Sequence, residues 1–156
     1  MTSASSSSYI VTASELAQRF AFSVQRCLIL DGLLRYRAEL RSLGFSHGFQ
    51  WLDGSVVEDV EALEDRVPND MDVVTFAHPP ASMNKAEINQ MMASRPDLLD
   101  HDQCKLGFRC DTAIVNLTTS PEWLMTQTRY WYGLYSHRRG DALWKVERPA
   151  AAAAGL

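Results

Sequence analysis

The sequence lacks the features that mark several large classes of protein. Its three cysteines, Cys27, Cys104 and Cys110, are odd in number, form no CxxC pair and have no histidine at metal-ligand spacing. That pattern argues against a disulfide framework and against a zinc site, and the three read as reduced core thiols. There is no run of about eighteen apolar residues, and the Ser-rich start has no basic stretch leading into an apolar one, so neither a spanning helix nor a secretory signal is expected. The expectation is a cytoplasmic protein with no membrane partner. Basic charge is scarce too: 15 Lys and Arg stand against 19 Asp and Glu, a net charge of −4. No overall basic field draws in nucleic acid, so any polyanion must meet a local patch.

What is present suffices for one globular unit, since 46% of the 156 residues are hydrophobic. Residues 1–8 are low-complexity and are expected to be a disordered tail; 149–156, alanine-rich, are expected to be a flexible one; 9–148 form a single domain. Thr12 and Glu15 have the form of a capping box for a short helix carrying Leu16 and Phe20, and Ser23 is placed to cap a second. From Val24 to Leu43, the residues Cys27, Leu28, Leu30, Leu34 and Leu40 recur near helical spacing and Gly44 follows as a stop.

Gly48 to Asp53 reads as a strand entering Gly54-Ser55, and Val56, Val57, Val60, Leu63 and Val67 suit a helix with acids on its other face, stopped by Pro68-Asn69. Asp70 to Phe76 reads as a strand, Met83 to Met92 as a helix, a strand falls within Leu106 to Leu117, Pro121 to Tyr135 is helical, and Trp144 to Glu147 suits a last strand. The order predicts an α+β fold, a mixed sheet flanked by helices.

Two local patterns carry chemistry. In Asp70-Met71-Asp72 the carboxylates are two residues apart, so on a strand they share a face with Cα atoms roughly 6.6 to 7 Å apart. Two like charges about 4 Å apart repel by about 4 kcal/mol at an effective dielectric near 20, so the pair wants a cation, a basic partner or a shared proton. Magnesium favours such oxygen ligands together with substrate phosphates, whereas many Asp-x-Asp triplets are simply solvated loop residues. Gly54-Ser55, between strand and helix, offers a backbone free of Cβ, a hydroxyl and helix N–H groups, which suit a phosphate; an ordinary turn capped by Ser55 has the same appearance.

Together, Trp51-Leu52-Asp53-Gly54-Ser55 and Pro68-Asn69-Asp70-Met71-Asp72-Val73-Val74 resemble small nucleotidyltransferase-like proteins of the DNA polymerase β-like nucleotidyltransferase superfamily. The resemblance implies a minimal nucleotidyltransferase fold over residues 9–148. It implies that Gly54 and Ser55 hold nucleotide phosphates, that Asp70 and Asp72 bind Mg²⁺ or Mn²⁺, and that a third acid on a later strand completes the site. Asp111, within Leu106 to Val115, is the candidate, with an edge or turn aspartate as the alternative; Asp97, Asp100 and Asp102 surround a Pro-containing loop and are weaker choices.

The activity implied is transfer of a nucleoside monophosphate from a nucleoside triphosphate to a hydroxyl on protein, RNA or a small molecule. A toxin-antitoxin or defence setting follows by analogy with small bacterial members. The alternative is a catalytically degenerate binding protein, acting as antitoxin or regulatory subunit. Two departures stand out: the acids Glu58, Asp59, Glu61, Glu64 and Asp65 lengthen the segment between the motif halves, and the small size leaves acceptor contacts to a homodimer or partner chain.

The C-terminal stretch sets Arg129, His137, Arg138, Arg139, Lys145 and Arg148 among Trp131, Tyr132, Tyr135 and Trp144. Arginine grips phosphate and aromatic rings stack bases, so Arg138, Arg139 and Lys145 are candidate nucleotide-binding residues; the other reading is that the rings fill the core and the cations coat a turn. His47, His78, His101 and His137 form no cluster and are assigned no catalytic role.

Overall fold

A computed structural model describes residues 10–135 and 152–155. The chain forms β1 (Ile10–Val11), α1 (Ala13–Phe20), α2 (Val24–Ser42), β2 (His47–Asp53), α3 (Val60–Glu64), β3 (Met71–His78), α4 (Lys85–Ala93), α5 (His101–Phe108), β4 (Cys110–Asn116), α6 (Pro121–Tyr135) and β5 (Ala152–Gly155). The fold is α+β. Its mixed sheet has the order β1-β5-β2-β3-β4. β2 runs antiparallel to β3, and β3 runs parallel to β4, with α4 and α5 in the connection a parallel pair requires.

The local signals explain the helix starts. Thr12 accepts from the Glu15 N–H while Glu15 accepts from the Thr12 N–H, and Ser23 accepts from the Arg26 N–H at the head of α2. Alternation in the strands divides the core into two layers. Leu52, Met71, Val73, Ala77 and Cys110 meet Leu16, Ile29, Leu33, Tyr36 and Leu40 of the first two helices. On the opposite face, Val74, Phe76 and Val115 meet Phe49, Trp51, Leu124, Trp131 and Tyr135, so α6 covers that side.

Four expectations change. The segment after Gly54-Ser55 is not a continuous helix: α3 spans only Val60–Glu64. The buried Arg26 guanidinium takes the Val56 and Glu58 carbonyls, diverting them from helical bonding, and Asp65 closes α3 in the left-handed conformation (φ 50°). Residues 101–108, where no helix was expected, form α5, with Asp100 accepting from the Gln103 N–H as its cap, and the strand expected within Leu106 to Leu117 is β4. Cys104 and Cys110 are buried but Cys27 is exposed, because α2 turns it away from the core. Ala152–Gly155, placed in a flexible tail by composition, pairs with β1 and β2; a run of alanine has no periodic pattern to announce a strand. The strand expected at Trp144 to Glu147 lies outside the described residues.

Candidate functional site

Strand register assembles the acids. Asp53 pairs with Asp72 across β2 and β3, and Asp72 pairs with Asp111 across β3 and β4. Residues opposite one another point to the same face, and neighbouring strands lie about 4.8 Å apart, so three carboxylates stand in a row at one end of the sheet, on the side covered by α6. Asp70 lies two residues before Asp72, just outside β3, and joins the row through α5. The Lys105 ammonium is 2.8 Å from Asp70 Oδ2 and 3.7 Å from Asp111 Oδ2, while His101 Nδ1 is 2.7 Å from Asp111 Oδ1.

The electrostatics follow from this crowding. The hydrogen bond to Asp70, then the charges of Asp70, Asp111 and Asp72, raise the Lys105 pKa above that of an ordinary lysine. At the last position of α6, burial raises the Tyr135 phenol, and the nearby charges of Asp72, Asp53 and Asp111 push it further the same way. Asp70 and Asp111 keep 25% and 32% of their side-chain surface exposed, so a ligand can reach both from solvent.

Gly54 and Ser55 sit against the same end. Gly54 has φ +91°, and a Cβ there would fall 3.1 Å from Asp72 Oδ2, so the turn closes onto the acid row because no side chain intervenes. The Ser55 hydroxyl donates to the Asp70 carbonyl at 3.4 Å and accepts from the Asn69 N–H at 3.2 Å. It therefore ties the two motif halves together. The segment between them is anchored from α2: Arg26 is fully buried, donates to Glu61 at 2.8 and 2.7 Å, and packs its guanidinium 4.2 Å from the Phe22 ring. That fork holds the Glu61 carboxyl down at about 2. Gln25 adds a hydrogen bond to the Pro68 carbonyl.

The structure thus brings together Gly54, Ser55, Asp70, Asp72 and Asp111. Arg138, Arg139 and Lys145 lie outside the described residues. Of the weaker acids, Asp97 pairs with Arg95 and Asp100 caps α5. Trp131 and Tyr135 pack on the sheet, whereas Tyr132 and Arg129 are exposed.

His101 was assigned no catalytic role, yet it stands on Asp111; Asp53, Lys105 and Arg26 were not singled out by the sequence. His101 and Lys105 are four residues apart, a spacing that shares a helix face, but that signal has meaning only once residues 101–108 are known to be helical.

A family model matches residues 4–146, nearly the whole chain, and it describes a family of unknown function, DUF6932. The chain belongs to the DUF6932 family. No curated protein and no solved structure matches it. Among the described residues of this DUF6932 member, no helix is long and apolar enough to cross a membrane. Also among them, no three His, Cys, Asp or Glu side chains are grouped so that they could hold a metal ion as they stand. The donor types at the acid row are nonetheless the hard oxygens that Mg²⁺ and Mn²⁺ take, and the Lys105 ammonium already sits between two of them.

Proposed function

We propose that this chain is a nucleotidyltransferase of the DNA polymerase β-like superfamily, transferring a nucleoside monophosphate from a nucleoside triphosphate to a hydroxyl on protein, RNA or a small molecule. One observation carries the reading. The register of three strands aligns Asp53, Asp72 and Asp111 beside Asp70, with the Gly54-Ser55 turn closed onto the same end of the sheet. Acids from separate strands converging beside a glycine turn are what phosphoryl transfer needs, because that chemistry is mostly positioning and charge stabilisation.

Asp70, Asp72 and Asp111 would hold Mg²⁺ or Mn²⁺, which when bound neutralises the triphosphate and stabilises pyrophosphate as a leaving group. The remaining work belongs to the chain. Gly54 lets a phosphate approach the backbone, and Ser55 holds the turn against Asp70. The acceptor oxygen bonds to the α-phosphorus while the bond to the β-phosphate oxygen breaks. A carboxylate of the row takes the acceptor's proton; Asp111, already hydrogen-bonded to His101, is placed to pass it on to solvent.

The Lys105 ion pairs favour a second reading, in which the site has become a binding surface, as in an antitoxin or regulatory subunit. Calorimetric titration of a nucleoside triphosphate panel with and without Mg²⁺ separates the two. Metal-dependent binding that disappears in a folded Asp70→Ala/Asp72→Ala variant supports the enzyme; a folded wild type that binds no triphosphate under any condition overturns it.

A further inference from the structure

The acid end of the sheet already contains a cation. α5 passes it with His101 and Lys105 one turn apart, and both reach in. Lys105 contacts Asp70 Oδ2 at 2.8 Å and lies 3.7 Å from Asp111 Oδ2, and His101 takes Asp111 Oδ1 at 2.7 Å. Each oxygen of Asp111 therefore has a partner from a single helix.

The backbone of α5 is pinned in this position. A Cβ at Gly32 of α2 would fall 1.8 Å from the Phe108 carbonyl oxygen, so the two helices touch backbone to backbone, and Arg35 donates to the Gly107 carbonyl at 2.9 Å. The ammonium itself is a point charge on a flexible stem, over a third exposed, and can leave without moving the helix.

A divalent ion bound by Asp70 and Asp111 needs the oxygens that Lys105 now holds. We propose that Lys105 is an internal counter-ion that competes with the divalent metal for Asp70 and Asp111, so that metal binds weakly to the free protein and tightly only when triphosphate offers the displaced ammonium a new partner. The identity of the incoming ion rests on the nucleotidyltransferase reading; the competition rests on the ion pairs. In the free protein the ammonium relieves the repulsion between Asp70 and Asp111, which would otherwise favour metal capture.

The test is Mn²⁺ binding to the full chain without nucleotide, read from the paramagnetic resonance signal of free Mn²⁺, for wild type, Lys105→Gln and Lys105→Arg. Lys105→Gln is expected to bind at least tenfold more tightly than wild type, Lys105→Arg no more tightly than wild type, and an added Asp70→Asn should abolish the gain. Measurable binding that is equal or weaker in Lys105→Gln overturns the competition while leaving the metal reading standing. No binding in any of the proteins overturns both. A second measurement needs no variant: during Mg²⁺ titration of wild type, the Lys105 side-chain nuclear magnetic resonance signal should move as metal saturates. A signal unmoved at saturation overturns the proposal.

Discussion

Arg26 and Lys105 serve the same end of the sheet from two helices, and they are held in opposite ways. Arg26 is fully buried, its planar fork spent on both Glu61 oxygens and on the Val56 and Glu58 carbonyls, with Phe22 stacked over it. Lys105 is part-exposed and offers one ammonium to two carboxylates that also face solvent. A buried guanidinium with four of its five N–H donors placed fixes a loop; an ammonium at a wet edge neutralises charge and remains exchangeable. One flank of the candidate site is thus built for permanence and the other for replacement.

The largest effect is expected at the rigid flank. Arg26→Ala removes the only fork holding residues 56–61 to α2 among the described residues, emptying a buried site and taking the guanidinium from the Val56 and Glu58 carbonyls, and a loss of about 2 to 5 kcal/mol is expected in chemical denaturation. A loss below about 1 kcal/mol would show that the loop is held by its apolar contacts instead. Next in size is Gly32→Ala, whose Cβ would collide with the Phe108 carbonyl and force α5 away from α2. Overpacking of this kind costs about 1 to 3 kcal/mol, and it should also disturb Lys105, which a lysine-to-acid contact measured by nuclear magnetic resonance would register.

Gly54→Ala is the third, at about 1 to 2 kcal/mol, because φ +91° strains any residue with a Cβ and that atom would press on Asp72. Thermal unfolding gives its cost, and triphosphate titration should show weaker binding than the stability change explains.

A smaller effect separates the flanks by pH. Glu61 is held at about 2 against an ordinary value of 4.5, so its contribution is complete above about 4.5 and is lost as pH falls from there through about 2. Acid titration of stability should show that loss in wild type but not in Glu61→Gln. Smallest is Lys105→Gln, expected to change stability by less than about 1 kcal/mol, since the pair is partly solvated. A larger cost would move Lys105 to the structural side of the comparison.

Much of the fold was legible because its signals are local. The Thr12/Glu15 capping box, the Ser23 cap, the stop at Gly44 and the span of α6 from Pro121 all follow from contacts within a turn or two of chain. α5 was not legible: its buried residues are only Cys104 and Phe108, too few to make a periodic stripe, and its neighbouring acids resemble a loop. The short α3 was overextended because valine spacing continued through Val56, whereas a long-range arginine claims the carbonyls a helix would need there.

The site divides along the same line. Asp70-Met71-Asp72 and Gly54-Ser55 are contiguous in the chain, and their spacing marks them as candidates without any fold, because two residues along a strand share a face. Asp111 was a candidate through the resemblance alone, and its place beside Asp72, like that of Asp53, comes from the register of β2, β3 and β4, while Lys105 acquires meaning only from the close approach of α5 to α2 at Gly32. Sequence alone determined the elements that local hydrogen bonds and periodicity specify, and it marked the short motifs. The tertiary structure decided which acids stand side by side and which cation answers them, because those contacts join residues distant in the chain and exist only once helices and sheet have packed.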